Sequence, residues 1–372
     1  MQMCLGATYS WSVYVQPIKS LIGLLQGPVQ TPFTVFYFTF PALMMVAGMV
    51  LPRLGTRRSA MLGGALFGCG WILAGLGRTH FAFTVLGIGL VSGIGAGFAY
   101  IVPIAVGIQW FPEHKGLVTG VAVAGFGGGA ALVSQAGGAL MAYQGFTPFQ
   151  TFFLLGAAFL VVTTVSGSFM IPPSAAGRQR TQPLKLKAVT RGADFRLLYL
   201  AMCVGLVAGF TVNANLKELH AGLGVEAGIA AVSIFAVANA AGRILWGLLF
   251  DRVTSTSAIR ANLLFQALVL AAAPLVVRTA AGLWAVAALT GFNYGGVLVL
   301  YVSSTARRWG NEHVARIYGW LFTANIPAAV APMLAGIAYD RLGSFTLPLY
   351  IVAGLLIGMA FVFRCRAVGL DG

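Results

Sequence analysis

Gly48-Met-Val-Leu-Pro52-Arg53 and Gly247-Leu-Leu-Phe-Asp251-Arg252 stand 199 residues apart and share one glycine-to-arginine frame. A second pair keeps the same offset: Trp110-Phe-Pro-Glu113-His114 and Trp309-Gly-Asn-Glu312-His313. Two separate motifs at one spacing mark an internal duplication. Each copy sits in a short break between long apolar runs, so the repeated unit is a set of apolar helices. Parallel repeats around a shared site are an architecture of membrane carriers.

The surrounding composition names the solvent. The 372 residues are 59% hydrophobic and only 8% charged, with a mean hydropathy of +0.88. A soluble domain carries about 25% charged residues. No water-soluble core hides this much apolar surface, so lipid surrounds the chain.

About 20 apolar residues are needed to cross a bilayer as a helix, whose backbone groups pair internally. Charge, proline and glycine divide the chain into twelve such spans: 1–20, 31–52, 59–77, 81–110, 115–142, 147–171, 196–219, 224–250, 257–277, 280–306, 313–339 and 345–363. The chain opens in an apolar run with no basic segment before it, and the first span looks short on its N-terminal side. The polar stretch 172–194 separates two sets of six. The expected organisation is an N-terminal half at 1–171, a cytoplasmic linker at 172–194 and a C-terminal half at 195–372.

A net charge of +15 suggests nucleic acid until its placement is read. Arg53, Arg57, Arg58, Lys115, Arg252, Arg307, Arg308, Arg316 and the basic residues of the linker fall in one alternating set of loops. The opposite loops hold only Lys19, Arg78, Lys217, Arg278 and Arg341. The richer side is cytoplasmic, and an even span count puts both termini there. This is membrane topology, with the bilayer as partner and no nucleic acid. Four scattered cysteines form no CxxC pair, so neither a disulfide framework nor a metal site is expected. Gly125, Gly127, Gly128 and Gly129 lack the strand and Lys-Ser/Thr context of a phosphate loop, and serve instead for close helix approach. With no Walker motif, no cofactor is expected.

At these residues the chain resembles the major facilitator superfamily. The loop signature of that family, Gly-x-x-x-Asp-Arg-x-Gly-Arg-Arg, is similar to Gly48-x-x-x-Pro52-Arg53-x-Gly55-Thr56-Arg57-Arg58, where Pro52 replaces the acid. The second copy keeps Asp251-Arg252. Arg53, Arg57, Asp251 and Arg252 are thereby implied as conformational loop residues. Three stretches resemble the monocarboxylate-transporter and oxalate/formate-exchanger branch more closely: Gly6-Ala-Thr-Tyr9-Ser-Trp11-Ser-Val-Tyr14, the segment from Trp110 to Gly125, and Asn239-Ala-Ala-Gly-Arg243-Ile-Leu-Trp246-Gly247. The resemblance implies an all-α membrane protein of twelve helices in two pseudo-symmetric six-helix halves.

Arg243 is the one basic residue inside a span. A guanidinium stays charged in a protein, and holding it in hydrocarbon costs roughly 2.5–3.5 kcal/mol on insertion scales. Such a residue normally faces a cavity, and its planar fork fits a carboxylate. The family resemblance implies a substrate-binding arginine here; a tie to backbone carbonyls or a reach to the cytoplasmic surface is the structural alternative. Asn239 lies one turn earlier on the same helix face. Monocarboxylate transporters resemble this segment but carry Asp at the matching position, and an amide takes no proton. An interhelical hydrogen bond is the plainer role for Asn239. The oxalate-handling branch has a lysine where Asn325 stands, so one buried cation argues for one carboxylate.

Tyr9, Tyr14, Tyr100, Asn293 and Tyr294 complete the candidate lining; for each aromatic, packing in the membrane core is an equal reading. Glu218 and His220, at the outer end of the seventh span, are the candidates for proton coupling, beside the alternative of a surface ion cluster with Lys217. His114 and His313 read as structural. The expected function is secondary transport of a small monocarboxylate such as lactate, pyruvate or formate, by proton symport or anion exchange, in a plasma or inner membrane, by a monomer. A dicarboxylate or other organic-anion antiporter is the rival reading, and an anion-binding membrane sensor is the reading from another class. No intramembrane set of paired acids, histidines or Ser/His groups points to an enzyme.

Overall fold

The computed structural model describes residues 1–24, 26–29, 31–173, 186–216, 219 and 225–366, and all regular structure among them is helical. The chain opens with α1 (Gln2–Leu5), a 3-10 segment (Gly6–Ser10), α2 (Ser12–Ile22) and α3 (Gln26–Val29). Long helices follow: α4 (Thr31–Leu54), α5 (Thr56–Ala74), α6 (Ala82–Thr84) running through a π segment (Val85–Val91) into α7 (Ser92–Trp110), α8 (Lys115–Tyr143) and α9 (Pro148–Ser168). After a short α10 (Leu186–Arg191) come α11 (Ala193–Asn215), α12 (Val225–Arg252), α13 (Ser255–Val276) and α14 (Ala280–Trp309). The chain continues through α15 (Val314–Phe322), α16 (Asn325–Ala328) and α17 (Ala331–Leu342) to α18 (Thr346–Arg366).

Ten stretches among the described residues are long and apolar enough to cross a membrane. They match ten of the twelve expected spans. The other two, the first and the eleventh, are built from shorter pieces, and the residues explain why. In the eleventh, Pro327 and Pro332 lie at the starts of α16 and α17; proline lacks an N–H and crowds the preceding turn. In the first, the Ser10 hydroxyl donates to the Ala7 carbonyl at 2.7 Å, a local bond that competes with the helix ladder. Other boundaries are capped by hydroxyls. Thr147, Thr254 and Thr279 accept from Gln150, Ser257 and Gly282 backbone N–H groups at the starts of α9, α13 and α14.

The duplication is visible in the boundaries. Thr56 and Ser255, Trp110 and Trp309, and Lys115 and Val314 each begin or end matching elements 199 residues apart. The two Glu-His motifs form matching 3-10 turns, Pro112–His114 and Asn311–His313. Gly55, between α4 and α5, has φ 82°, a conformation that only glycine adopts at little cost.

The described chain forms two compact units. The first comprises Met1–Trp110, Gly125–Thr181 and Tyr318–Phe322. The second comprises Phe111–Ala124, Gln182–Ile317 and Thr323–Gly372. In the first, α5 packs on α7 and α9 through small residues: a Cβ added at Gly68 would lie 2.4 Å from Leu160 N, and one at Gly156 2.5 Å from Ile72 N. In the second, α12 and α14 touch backbone to backbone. A Cβ at Gly242 would lie 1.9 Å from Phe292 O, at Gly291 2.4 Å from Phe235 O, and at Gly295 2.3 Å from Asn239 O. Lipid provides no hydrophobic drive between helices, so association depends on such close van der Waals contact.

Gly295→Val should therefore cost roughly 1–3 kcal/mol through overpacking, read as a fall in the thermal unfolding temperature in detergent. Gly354→Ala on α18, where an added Cβ meets nothing within 4 Å, should leave stability unchanged or raise it by about 0.5–1 kcal/mol.

Candidate functional site

The last four turns of α12 hold Asn239, Arg243 and Asp251, the candidate polar residues of the second unit. Arg243 is 3% exposed and Asn239 7%. The spacing of four places both on one helix face, turned toward α14 and the start of α8. Asn239 Nδ2 donates to the Gly291 carbonyl of α14 at 3.2 Å. Arg243 Nη1 makes a short hydrogen bond to the Val123 carbonyl of α8. Its Nε is buried without a hydrogen-bond partner. Among the described residues no carboxylate forms an ion pair with Arg243. The guanidinium is thus buried, tied to one backbone carbonyl, and left with a donor unsatisfied. Leaving such a donor without a partner costs about 1–3 kcal/mol, more where the group is charged, which makes the site receptive to an anionic acceptor.

α8 reaches Arg243 because three glycines remove the bulk between the helices. A Cβ at Gly116 would lie 2.1 Å from Gly247 O, one at Gly247 2.3 Å from Gly116 O, and one at Gly120 2.4 Å from Arg243 O. Asp251 fixes the same crossing at its end. Its carboxylate accepts from Gly116 N at 2.8 Å and Leu117 N at 3.0 Å, satisfying orphan donors at the positive end of the α8 dipole. The other end of the motif is closed by Arg307 on α14, which donates to the Val253 carbonyl at 2.7 Å and the Phe250 carbonyl at 2.9 Å while lying 4.0 Å over the Phe250 ring. Those last carbonyls of α12 are where a cation belongs. Arg252 is exposed, and so are Arg53 and Arg57 in the first unit, where Pro52 offers no carboxylate.

The remaining candidates divide between the units. In the second, Tyr294 (8% exposed) packs on Phe210 and Phe235. Asn293 is engaged with Asn262 of α13: Asn262 Nδ2 donates to Asn293 Oδ1 at 2.9 Å, and Asn293 Nδ2 donates to Asn262 O at 2.9 Å. Asn325 opens α16 and is half-buried. In the first, Tyr14 is wholly buried among Trp11, Trp71 and Phe152. Tyr100 joins Phe40, Phe126 and Phe322 in an aromatic cluster. Tyr9, 39% exposed, lies on Tyr37 and Phe126. Glu218 and His220 lie outside the described residues.

The repeat exposes the division of labour. The position 199 residues before Arg243 is Met44, and the position 199 after Gly120 is Gly319. A Cβ at Gly319 would lie 2.7 Å from Met44 O, the same glycine-to-carbonyl approach as Gly120 with Arg243. One crossing geometry therefore occurs in both units, carrying a cation in one and a thioether in the other. Val123, Gly120 and Asn262 escaped sequence reasoning as site residues. Gly120 and Val123 lie inside the quoted stretch from Trp110 to Gly125, but a backbone carbonyl acting as ligand leaves no mark on residue type.

Comparison with known proteins places these features. The sequence profile of the Major Facilitator Superfamily matches residues 1–325. The chain is similar to the oxalate:formate antiporter of Oxalobacter formigenes, 26% identical over 345 residues that cover 89% of this chain and 80% of that one. It is similar to apicoplast pyruvate carrier 1 of Toxoplasma gondii, 26% identical over 360 residues, 77% of this chain and 65% of the relative. Among solved structures, its fold is like that of the transporter FucP in the outward conformation, with a TM-score of 0.74 at 14% identity over 98% of this chain and 97% of that one.

The Asn262–Asn293 pair gives a sharp test of structure apart from transport. Replacing either by Ala should destabilise the second unit, and the double variant should cost more than either single one but less than their sum, because each single variant keeps one side-chain bond to a backbone carbonyl. A double-mutant cycle on thermal unfolding should return a coupling of about 0.6–1.7 kcal/mol, the range of buried interhelical hydrogen bonds in membranes.

Proposed function

The chain belongs to the Major Facilitator Superfamily, whose fold is that of membrane transporters and not enzymes, and from that premise we propose that it carries small monocarboxylate anions by exchange. The observation that carries this reading is the buried Arg243, with its unsatisfied Nε and no acid paired to it among the described residues. A carboxylate of lactate, pyruvate or formate size supplies the missing negative charge and acceptors. Asn239 and Asn325 are neutral, and no Lys or Arg lies between Arg316 and Arg341, so the candidate residues offer one cation to the substrate. One cation balances one carboxylate. Similarity to an oxalate:formate antiporter and to a pyruvate carrier supports an organic-anion cargo.

Exchange follows from charge. The unloaded carrier retains a buried guanidinium whose transfer cost of roughly 2.5–3.5 kcal/mol slows the empty step by about 100-fold. The loaded carrier has the charge neutralised and moves freely. The same logic makes Asn239 the residue that forgoes proton coupling, since an acid one turn from Arg243 would neutralise it when no substrate is present. The excess of Lys and Arg in one set of loops supports an orientation with both termini in the cytoplasm. A dicarboxylate exchanger is the second reading, favoured by the antiporter relative and opposed by the single cation.

In proteoliposomes, internal anion should accelerate uptake of external labelled pyruvate by tenfold or more. Equal rates with and without internal anion, together with dependence on a pH gradient, would sink the exchange reading. Arg243→Gln should lower uptake by about 100-fold while the protein still unfolds cooperatively.

Asn239→Asp should convert the behaviour: net uptake without internal anion should rise, and should follow an inward proton gradient that leaves the unmodified protein indifferent. The measurement is initial uptake rate across an imposed pH step.

A further inference from the structure

Arg243 is bonded along one side only. A guanidinium can hold a carboxylate end-on, through Nη1 and Nη2, or side-on, through Nε and Nη2. Val123 O takes one of the two Nη1 hydrogens and crowds the end-on edge, while Nε is buried with no acceptor and no partner to Nη2 is found among the described residues. The bond to Val123 exists because α8 lies on α12 with no side chain between them at Gly120, where an added Cβ would fall 2.4 Å from the Arg243 carbonyl. Asp251 draws the start of α8 onto the end of α12 through Gly116 and Leu117. Gly120 carries the contact one turn further. Val123, three residues on and over the same face, then meets the guanidinium.

We infer that Gly120 is a positioning residue for anion binding: by seating the Val123 carbonyl on Nη1, it turns the Nε–Nη2 edge of Arg243 toward the carboxylate, which binds side-on through two parallel N–H···O bonds. This rests on the reading of Arg243 as the anion's partner. The Nε–H and the adjacent Nη2–H run parallel and suit a planar pair of oxygens. The bond to Val123 also removes a rotational freedom that a loose guanidinium would lose on each binding event. Met44 lies in the same crossing against Gly319, so the close approach alone is packing. The donor on one side and the orphan Nε on the other are what give the Gly120 crossing its second role.

Labelled pyruvate uptake by the full chain in proteoliposomes, with KM and maximal rate separated, tests the inference. Gly120→Ala should raise KM about tenfold, the effect of losing one charge-assisted bond, with a smaller change in maximal rate. A lower rate and lower unfolding temperature at unchanged KM would mean packing alone, and would overturn it. Should Gly120→Ala fail to insert, replacing the Ala124 amide by an ester with lactic acid weakens the Val123 carbonyl and changes no side chain. That ester should raise KM several-fold. The corresponding ester at Val121 removes one helix bond elsewhere on α8 and should not; equal effects of the two esters would count against the inference.

Two further arms separate this from the site reading. If Arg243→Gln transports pyruvate with unchanged KM, the site assignment fails. If Arg243→Gln is inactive while Gly120→Ala and the Ala124 ester keep the original KM, the assignment stands and the positioning role falls. Independent of any substrate, Arg243→Gln should speed amide hydrogen exchange around Val123 in the anion-free protein, and unchanged exchange would remove the tie on which the inference depends.

Discussion

A permanent positive charge surrounded by lipid-spanning helices must find negative charge or acceptors, because water is not there to supply them. Arg243 sets the terms for its surroundings. Its backbone carbonyl lies against Gly120, its Nη1 takes the Val123 carbonyl, and its Nε remains open. Asn239 beside it gives its amide to Gly291. None of these neighbours brings a compensating charge. The protein has settled the guanidinium only partway, with one carbonyl taken and Nε open.

Around this centre the helices are joined by backbone proximity and by charges placed at helix ends. Gly242, Gly291 and Gly295 bring α12 and α14 together. Asp251 meets the unsatisfied amides of α8, and Arg307 meets the unsatisfied carbonyls of α12. Both use the partial charges of helix termini, so the strong interactions lie where the chain leaves the apolar layer. Within it, neutral pairs such as Asn262 with Asn293 serve. Exposed side chains such as Leu268 and Phe361 complete an outer surface suited to lipid.

Much of this was legible in the sequence, and what was not has specific causes. Hydropathy and punctuation located ten spans because helix length in a bilayer is a physical constant. The first and eleventh spans read as continuous because their apolar character hides the breaks; Pro327 and Pro332 were the visible signal, and Ser10 the subtler one. The duplication could be read from motif spacing and reappears in helix boundaries. Arg243 stood out by its expense. Its partner did not, since Val123 acts through a carbonyl that every residue possesses. Tyr14 and Asn293 have the residue types of a binding site, but Tyr14 is packed among aromatic rings and Asn293 is engaged by Asn262. Composition cannot tell a polar group facing a cavity from one facing a neighbouring helix.

The paired crossings, Gly120 on the Arg243 carbonyl and Gly319 on the Met44 carbonyl, show what a duplicated gene must preserve and what it is free to change. The contact is between a glycine and main-chain oxygen, so the side chain projecting from position 44 or 243 takes no part in it. Once the ancestral segment was copied, each version could explore new side chains without disturbing how its helices meet. A cation in one copy and a thioether in the other then needed no redesign of the scaffold, only substitution at a position that the joint had left unconstrained.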